Sequence, residues 1–248
     1  MTSRETTGML SRGAQPRGWD AAGRSDLAYY LLYLALNAPW LAFSLWGGTK
    51  ASKARLLARV GLRADALPHL GSWKADTGFL HRIVDAVEEL RPATVVELGA
   101  GASTLVCAAA LARNGGGRLV SFDQHGGFVA ATRAWLREEG AQADLRHAPL
   151  VRPAPRGWPG AWYALDDVPD AIDLLVIDGP PWAVHPHVRG AAEVLFDRLT
   201  PGGIVLLDDG ARPGERVVAA RWRRAWPDIK FARVPGSTAG TLVGRKRP

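Results

Sequence analysis

The pattern of hydrophobic and polar positions changes character twice along the chain. Residues 1–26 are polar, contain several Gly and Arg, and show no apolar periodicity, so they read as a tail. Residues 27–46, LAYYLLYLALNAPWLAFSLW, carry no charge. As a helix this run reaches about 30 Å, the depth of a bilayer's hydrocarbon core. Asn37 and Pro39 interrupt it, and Leu27, Leu31, Leu34, Ala38, Leu41 and Leu45 form a heptad-like stripe. Two readings stand: a membrane anchor or surface attachment, and a helix packed on protein or forming an oligomer. A cleaved signal peptide fits poorly, because the apolar run is long and starts late.

From Asp76 onward, helical periodicity alternates with short apolar runs. The pattern predicts a helix over 78–90 stopped by Arg91-Pro92, then strands at 94–98 (TVVEL), 118–123 (RLVSFD), 143–148, 172–178 (IDLLVID) and 203–208 (GIVLLD). Helices are predicted at 102–113, 127–139, 187–199 and 214–225, with a helix or loop over 159–169. Strands alternating with helices imply an α/β sheet covered on both faces. The last two runs, 229–234 and 240–244, are joined by a turn at Pro235-Gly236-Ser237, too short for a crossover helix, so they should pair antiparallel. The chain therefore divides into a basic tail with a hydrophobic helical extension, 1–75, and an α/β domain, 76–248.

Composition changes this picture little. With 47% hydrophobic and 22% charged residues, the 248-residue chain is an ordinary globular protein. A single cysteine, Cys107, excludes an intramolecular disulfide and a multi-cysteine zinc site, and suggests a reducing, cytoplasmic setting. The net charge of +7 invites a nucleic-acid reading until it is placed by position. Residues 1–75 hold ten basic and four acidic side chains, residues 76–244 hold 18 and 20, and Arg245-Lys246-Arg247 close the chain. The body is slightly acidic, so no nucleic-acid partner is expected. The basic ends, with Arg12, Arg17, Arg24, Lys50, Lys53, Arg55 and Arg59 flanking 27–46, bear instead on membrane contact.

In an open α/β sheet a ligand lies beyond the carboxyl ends of the strands. After the first strand, Glu97-Leu98-Gly99-Ala100-Gly101-Ala102-Ser103-Thr104 is a glycine turn into a helix, where Gly99 and Gly101 let a ligand approach the backbone and Ser103 or Thr104 can cap. Thr104 stands where a dinucleotide fingerprint has its third glycine, which disfavours a nicotinamide dehydrogenase. Glu97, on an otherwise apolar strand, needs a polar partner. Asp123 ends the second strand 22 residues past Gly101, where a carboxylate can hold ribose hydroxyls, with Gln124 beside it; the backbone amide of Ala148 is a candidate for reading an adenine edge.

The ordered set ELGAG, SFD, IDLLVIDGPP and LTPGGIVLLDD is similar to the class I S-adenosylmethionine-dependent methyltransferases over about residues 76–248. The resemblance implies a Rossmann-like, doubly wound seven-stranded sheet of order 3-2-1-4-5-7-6 with the last strand antiparallel. It implies that Glu97, Gly99 and Gly101 surround the methionine portion of S-adenosylmethionine and that Asp123 binds its ribose; Ser103 and Asp178 are further candidate cofactor contacts. Asp178, Asp208 and Asp209 match the acids that hold Mg²⁺ in O-methyltransferases of the catechol, caffeoyl-CoA and macrocin types, so a metal ion is an open expectation. The acceptor expected is a hydroxyl of a small molecule. Macrocin-type sequences carry a second acid, acting as base, at the position of Pro180, so another group must take the proton. His185, His187 and His125 are the candidates for that group, with Asp178 among the expected catalytic residues. The other explanation of Asp208-Asp209 is capping of the following helix. Base-modifying amino-methyltransferases place the acid directly before Pro-Pro-aromatic; here Gly179 intervenes, although Trp182 remains able to stack on a planar acceptor. Trp73, Trp158 and Trp162 are candidates for the acceptor pocket. A membrane-tethered protein that keeps the fold without catalysis, and an N-methyltransferase, are the competing readings.

Overall fold

A computed structural model describes residues 24–71 and 74–248; the tail over 1–23 and Trp73 lie outside them. Helix α1 (Arg24–Ser44) precedes α2 (Lys50–Val60) and α3 (Thr77–Leu90). The sheet then begins with β1 (Thr94–Leu98), α4 (Ala102–Arg113), β2 (Arg118–Asp123), α5 (Gly126–Glu138) and β3 (Asp144–His147). A short hairpin, β4 (Leu150–Val151) with β5 (Trp162–Tyr163), leads to β6 (Ile172–Ile177), β7 (Leu199–Leu207), α6 (Pro213–Ala225), β8 (Ile229–Val234) and β9 (Thr241–Lys246).

Seven strands form one sheet in the order β3-β2-β1-β6-β7-β9-β8. All neighbours are parallel except β9, which runs antiparallel to both β7 and β8. Counting only those strands, this is the expected order 3-2-1-4-5-7-6, and the C-terminal hairpin pairs antiparallel as its short turn requires. Three local expectations change. Residues 159–169 hold β5 and loop. The segment expected as an α-helix over 187–199 is a 3-10 helix, Val188–Arg198. The strand expected at 203 begins at Leu199 and passes through a register shift opposite Ile172–Leu174.

Local chemistry sets the boundaries. Asp76 caps α3 by accepting from the Phe79 amide at 2.9 Å, and Phe79, Leu80, Ile83, Val84 and Val87 recur at helical spacing on its buried face. Arg91, in left-handed conformation, and Pro92 end it. One core layer joins α2, α3, α4 and α5 to one face of the sheet, and a second packs Val188–Phe196, α6 and Trp158 on the other. Leu56, Leu57, Val60, Ala66, Leu67 and Leu70 enter the first layer, so the segment after α1 is fastened to the sheet by burial. Cys107 is buried there as a small apolar residue. By contrast α1 touches the body lightly, through α6 and through Tyr33. Among the described residues no helix is long and apolar enough to cross a membrane.

Candidate active site

The strand ends form one edge with two halves. In the β1–β2 half, Glu97 is fully buried, and one of its oxygens accepts 2.6 Å bonds from both the Thr104 and Ser121 hydroxyls. Thr104 in turn accepts from the Gly101 amide at 2.9 Å, which closes the turn into α4. The residue that breaks the dinucleotide fingerprint is thus the polar partner that Glu97 needs. Burial pushes the Glu97 carboxyl up to about 7, against the pull of its hydroxyl donors. Its second oxygen is buried without a protein partner. Asp123 accepts from the His125 amide at 2.8 Å and reaches across to the Ala100 amide at 3.1 Å, so the acid after β2 is locked to the glycine turn after β1. Burial raises it to about 6.

The turn itself is shaped for close approach. Gly99 has φ 99°, and a β-carbon there would lie 2.8 Å from the Gly179 nitrogen, so β1 and β6 meet backbone to backbone. At Gly101 a β-carbon would meet nothing within 4 Å, and that side opens into a shallow cleft. Lys74, Gly101, Ser103, Phe128 and Asp178 line this cleft. The Gln124 Oε1 and His125 Nε2 atoms are buried near Asp123 with no partner. A glycine facing open space at Gly101, a carboxylate at the end of β2, and an unpartnered amide oxygen and ring nitrogen beside it fit the polar groups of S-adenosylmethionine. The Ala148 amide does not: it donates to the Asp123 carbonyl at 2.9 Å and has no hydrogen left for an adenine edge.

The β6–β7 half is settled differently. Asp178, Asp208 and Asp209 do come together, but around the buried guanidinium of Arg189. Arg189 donates to the carbonyls of Pro180 (3.1 Å), Asp208 (3.3 Å) and Asp178 (2.5 Å) and to the Asp209 carboxylate (3.1 Å), and lies 3.6 Å from an Asp178 carboxylate oxygen. Arg212 adds a 2.7 Å ion pair to the same Asp209 oxygen, and buried Glu215 stands 4.0 Å from Arg189. A resident divalent cation does not fit this arrangement. Two guanidinium groups already hold Asp209, and Arg189 occupies the point on which the strand ends converge. Among the described residues no group of three His, Cys, Asp or Glu has metal-holding geometry. Nor does either aspartate cap α6: Arg212 is the cap residue, and no side chain bonds the first turn. Burial raises Asp178 to about 7, with Arg189 opposing and Asp209 adding to the rise; Glu215 is raised to about 7 and Asp208 well above the usual range by the same loss of water. Asp178 is the member of the cluster that lines the cleft.

Of the histidines, His185 and His187 are kept from the cleft by their own contacts. His185 Nδ1 accepts from the His187 amide at 3.1 Å, and His187 Nε2 lies 2.8 Å from the Tyr33 hydroxyl of α1. Trp158 is a core residue that donates to Glu193 at 2.7 Å, whereas Trp162 Nε1 is buried without a partner. Arg189, Arg212, Lys74 and Tyr163 escape the sequence reading. The Tyr163 hydroxyl is buried without a partner against Gly179, where a β-carbon would come within 2.2 Å of it. A lone arginine in the run His187-Val188-Arg189-Gly190-Ala191-Ala192 is the one sequence signal that pointed here, since a charge among small apolar residues needs a buried partner.

Residues 96–210 match a family model described as a methyltransferase domain. No curated protein matches the chain. Among solved structures, an SAH-bound methyltransferase from Podospora anserina superposes with a TM-score of 0.54 at 15% identity, covering 79% of this chain and 88% of that one. An O-methyltransferase from Bacillus cereus in complex with SAH gives 0.53 at 15%, over 81% and 92%. TomG from Streptomyces achromogenes, an O-methyltransferase involved in tomaymycin synthesis and solved with SAM, gives 0.51 at 13%, over 91% and 100%. At these identities the likeness is one of fold.

Proposed function

We propose that this chain, whose residues 96–210 match a methyltransferase-domain model, is a class I S-adenosylmethionine-dependent enzyme that methylates a hydroxyl of a small-molecule acceptor with Asp178 as general base and without a resident metal ion. One observation carries the reading: Asp178 lines the same cleft as Gly101 and Ser103, while the Asp209 carboxylate is tied up by two arginines and that of Asp208 accepts from the Asp209 amide. We assign the catalytic unit to residues 76–248, buttressed by the segment from Lys50 to Leu70.

The bound cofactor supplies a methyl group already activated by a sulfonium, so the protein has to align the acceptor and remove its proton. Asp123 holds the ribose hydroxyls, and Glu97, Gly99, Gly101 and Ser103 shape the methionine end of the cleft. Lys74, whose pKa burial lowers, faces the cleft as a cation for a carboxylate. Asp178 accepts the acceptor's proton. A base poised near 7 is half ionised at neutral pH and still basic enough to be effective. Arg189 is a positioning residue: by gripping the carbonyls of Asp178 and Pro180 it fixes the loop that aims the carboxylate, and its charge keeps the pKa from rising further. Tyr163 offers an unpartnered O–H beside this point, against Gly179.

The test is single-turnover methyl transfer to a panel of hydroxylated acceptors, with Asp178→Asn and Arg189→Lys as variants. The expected profile rises with pH through about 7 and disappears in Asp178→Asn with S-adenosylhomocysteine affinity retained. Full turnover in Asp178→Asn would overturn the assignment of the base.

A further inference from the structure

Helix α1 is turned inside out for a surface helix. The stripe it lays on the body consists of Tyr33, Asn37 and the half-buried Trp40, two of them polar, and it is pinned by the bond between the Tyr33 hydroxyl and His187. Its other faces present Leu31, Leu32, Leu34, Leu36 and Phe43 at 43–61% exposure, followed by Leu45 and Trp46 just past the helix end. Elsewhere among the described residues the exposed large hydrophobics are Val151 and Val217, each alone. A contiguous apolar surface of this kind on a folded protein marks a contact face.

Its shape and setting select the occupant. At 100° per residue, the exposed apolar positions of α1 sweep about 200° around the helix axis, far more than the narrow stripe one partner helix covers. A fluid apolar medium covers such an arc. No charged residue stands between Asp26 and Lys50, and the exposed Lys50 and Arg55 follow immediately. Residues 1–75 carry an excess of six positive charges, against a nearly neutral domain over 76–248. Charge and apolar area together complement an anionic lipid surface. Because no described helix is long and apolar enough to span, the helix would lie in the interface.

We propose that α1 seats this protein on anionic membranes, lying in the headgroup plane with Leu31, Leu32, Leu34, Leu36 and Phe43 in the acyl boundary. This does not depend on the reading of the catalytic site. The experiment is co-sedimentation of the full chain with phosphatidylcholine vesicles containing or lacking a third phosphatidylserine, with its solution mass measured alongside. Binding is expected to the anionic vesicles, to weaken at high salt, and to fall at least about tenfold in Leu31→Ser/Leu34→Ser/Phe43→Ser, whose S-adenosylhomocysteine affinity should be unchanged because every position is exposed. Lys50→Glu/Arg55→Glu should reduce binding to anionic vesicles and leave the weak binding to neutral ones alone. Absence of the protein from the anionic pellet would overturn the proposal. So would a stable dimer that the triple variant converts to monomer, since a second copy would then cover the face.

Discussion

The two halves of the sheet edge carry the same kind of residue and hold it in opposite ways. At β1–β2 the buried acids Glu97 and Asp123 are met by neutral donors, hydroxyls and backbone amides, with acceptor capacity left over. At β6–β7 the carboxylates of Asp178 and Asp209 are met by the guanidinium groups of Arg189 and Arg212, while Asp208 gives Arg189 its backbone carbonyl and its carboxylate accepts from the Asp209 amide. A carboxylate held by neutral donors keeps its appetite for a ligand; one held by a buried arginine is already satisfied. The difference separates acids that bind from acids that brace, and it leaves Asp178, braced through its backbone but facing the cleft, as the member with a chemical task.

The comparison breaks most directly at Asp178. Asp178→Asn should lower the methyl-transfer rate by about 10²–10⁴, the usual contribution of a positioned base, while calorimetry shows S-adenosylhomocysteine binding within a few-fold of the parent. Equal loss of binding would place Asp178 with the binding acids. Arg189→Met should destabilise the fold by about 3–5 kcal/mol in urea unfolding, because it strands buried carboxylates and three backbone carbonyls; a mild change would mean that the second half is not braced as described. Asp123→Ala should weaken S-adenosylhomocysteine about 10–100-fold through loss of charge-assisted bonds, with little effect on melting temperature. Unchanged affinity would remove the cofactor assignment of the first half.

Two smaller measurements sharpen the contrast. Glu97, Asp123, Asp178 and Glu215 are all raised, to about 7, 6, 7 and 7, so each binds its proton more tightly folded than unfolded. Their stabilising contribution is present below the ordinary carboxylate range and is lost as pH rises to about 7. Melting temperature should therefore fall across that window while activity rises, and Glu97→Gln should flatten the first trend without flattening the second. The smallest expected effect is no effect: turnover in excess EDTA should match turnover in added Mg²⁺, and a strict Mg²⁺ requirement would show that Arg189 yields its place to a metal ion.

The legible and illegible parts of the site divide along this same line. Glu97, Gly99, Gly101, Ser103 and Asp123 could be read because their neighbours lie close in sequence or at fixed positions after strands, and because strand ends are where the α/β fold exposes backbone. Thr104 could be read as a departure from a dinucleotide motif before its bond to Glu97 was known. The reading of Asp178, Asp208 and Asp209 as metal ligands had no means of placing Arg189 among them. Arg189 lies eleven residues past Asp178 on a segment whose 3-10 winding no periodicity announces, and only that path swings its side chain back over the strand ends. His185 and His187 are bases by position alone; His187 turns to Tyr33 of α1, His185 accepts from the His187 amide, and neither lines the cleft.

Alternating periodicity, the glycine turn and the short C-terminal turn were enough for the sequence to determine the sheet, its order and the end at which chemistry happens, since these rest on local hydrogen bonding and on which residues must leave water. Which charge neutralises which acid, and which face of α1 stays bare, were decided by tertiary structure, because the partner of a buried carboxylate and the neighbour of a helix face are chosen by packing between segments far apart in the chain.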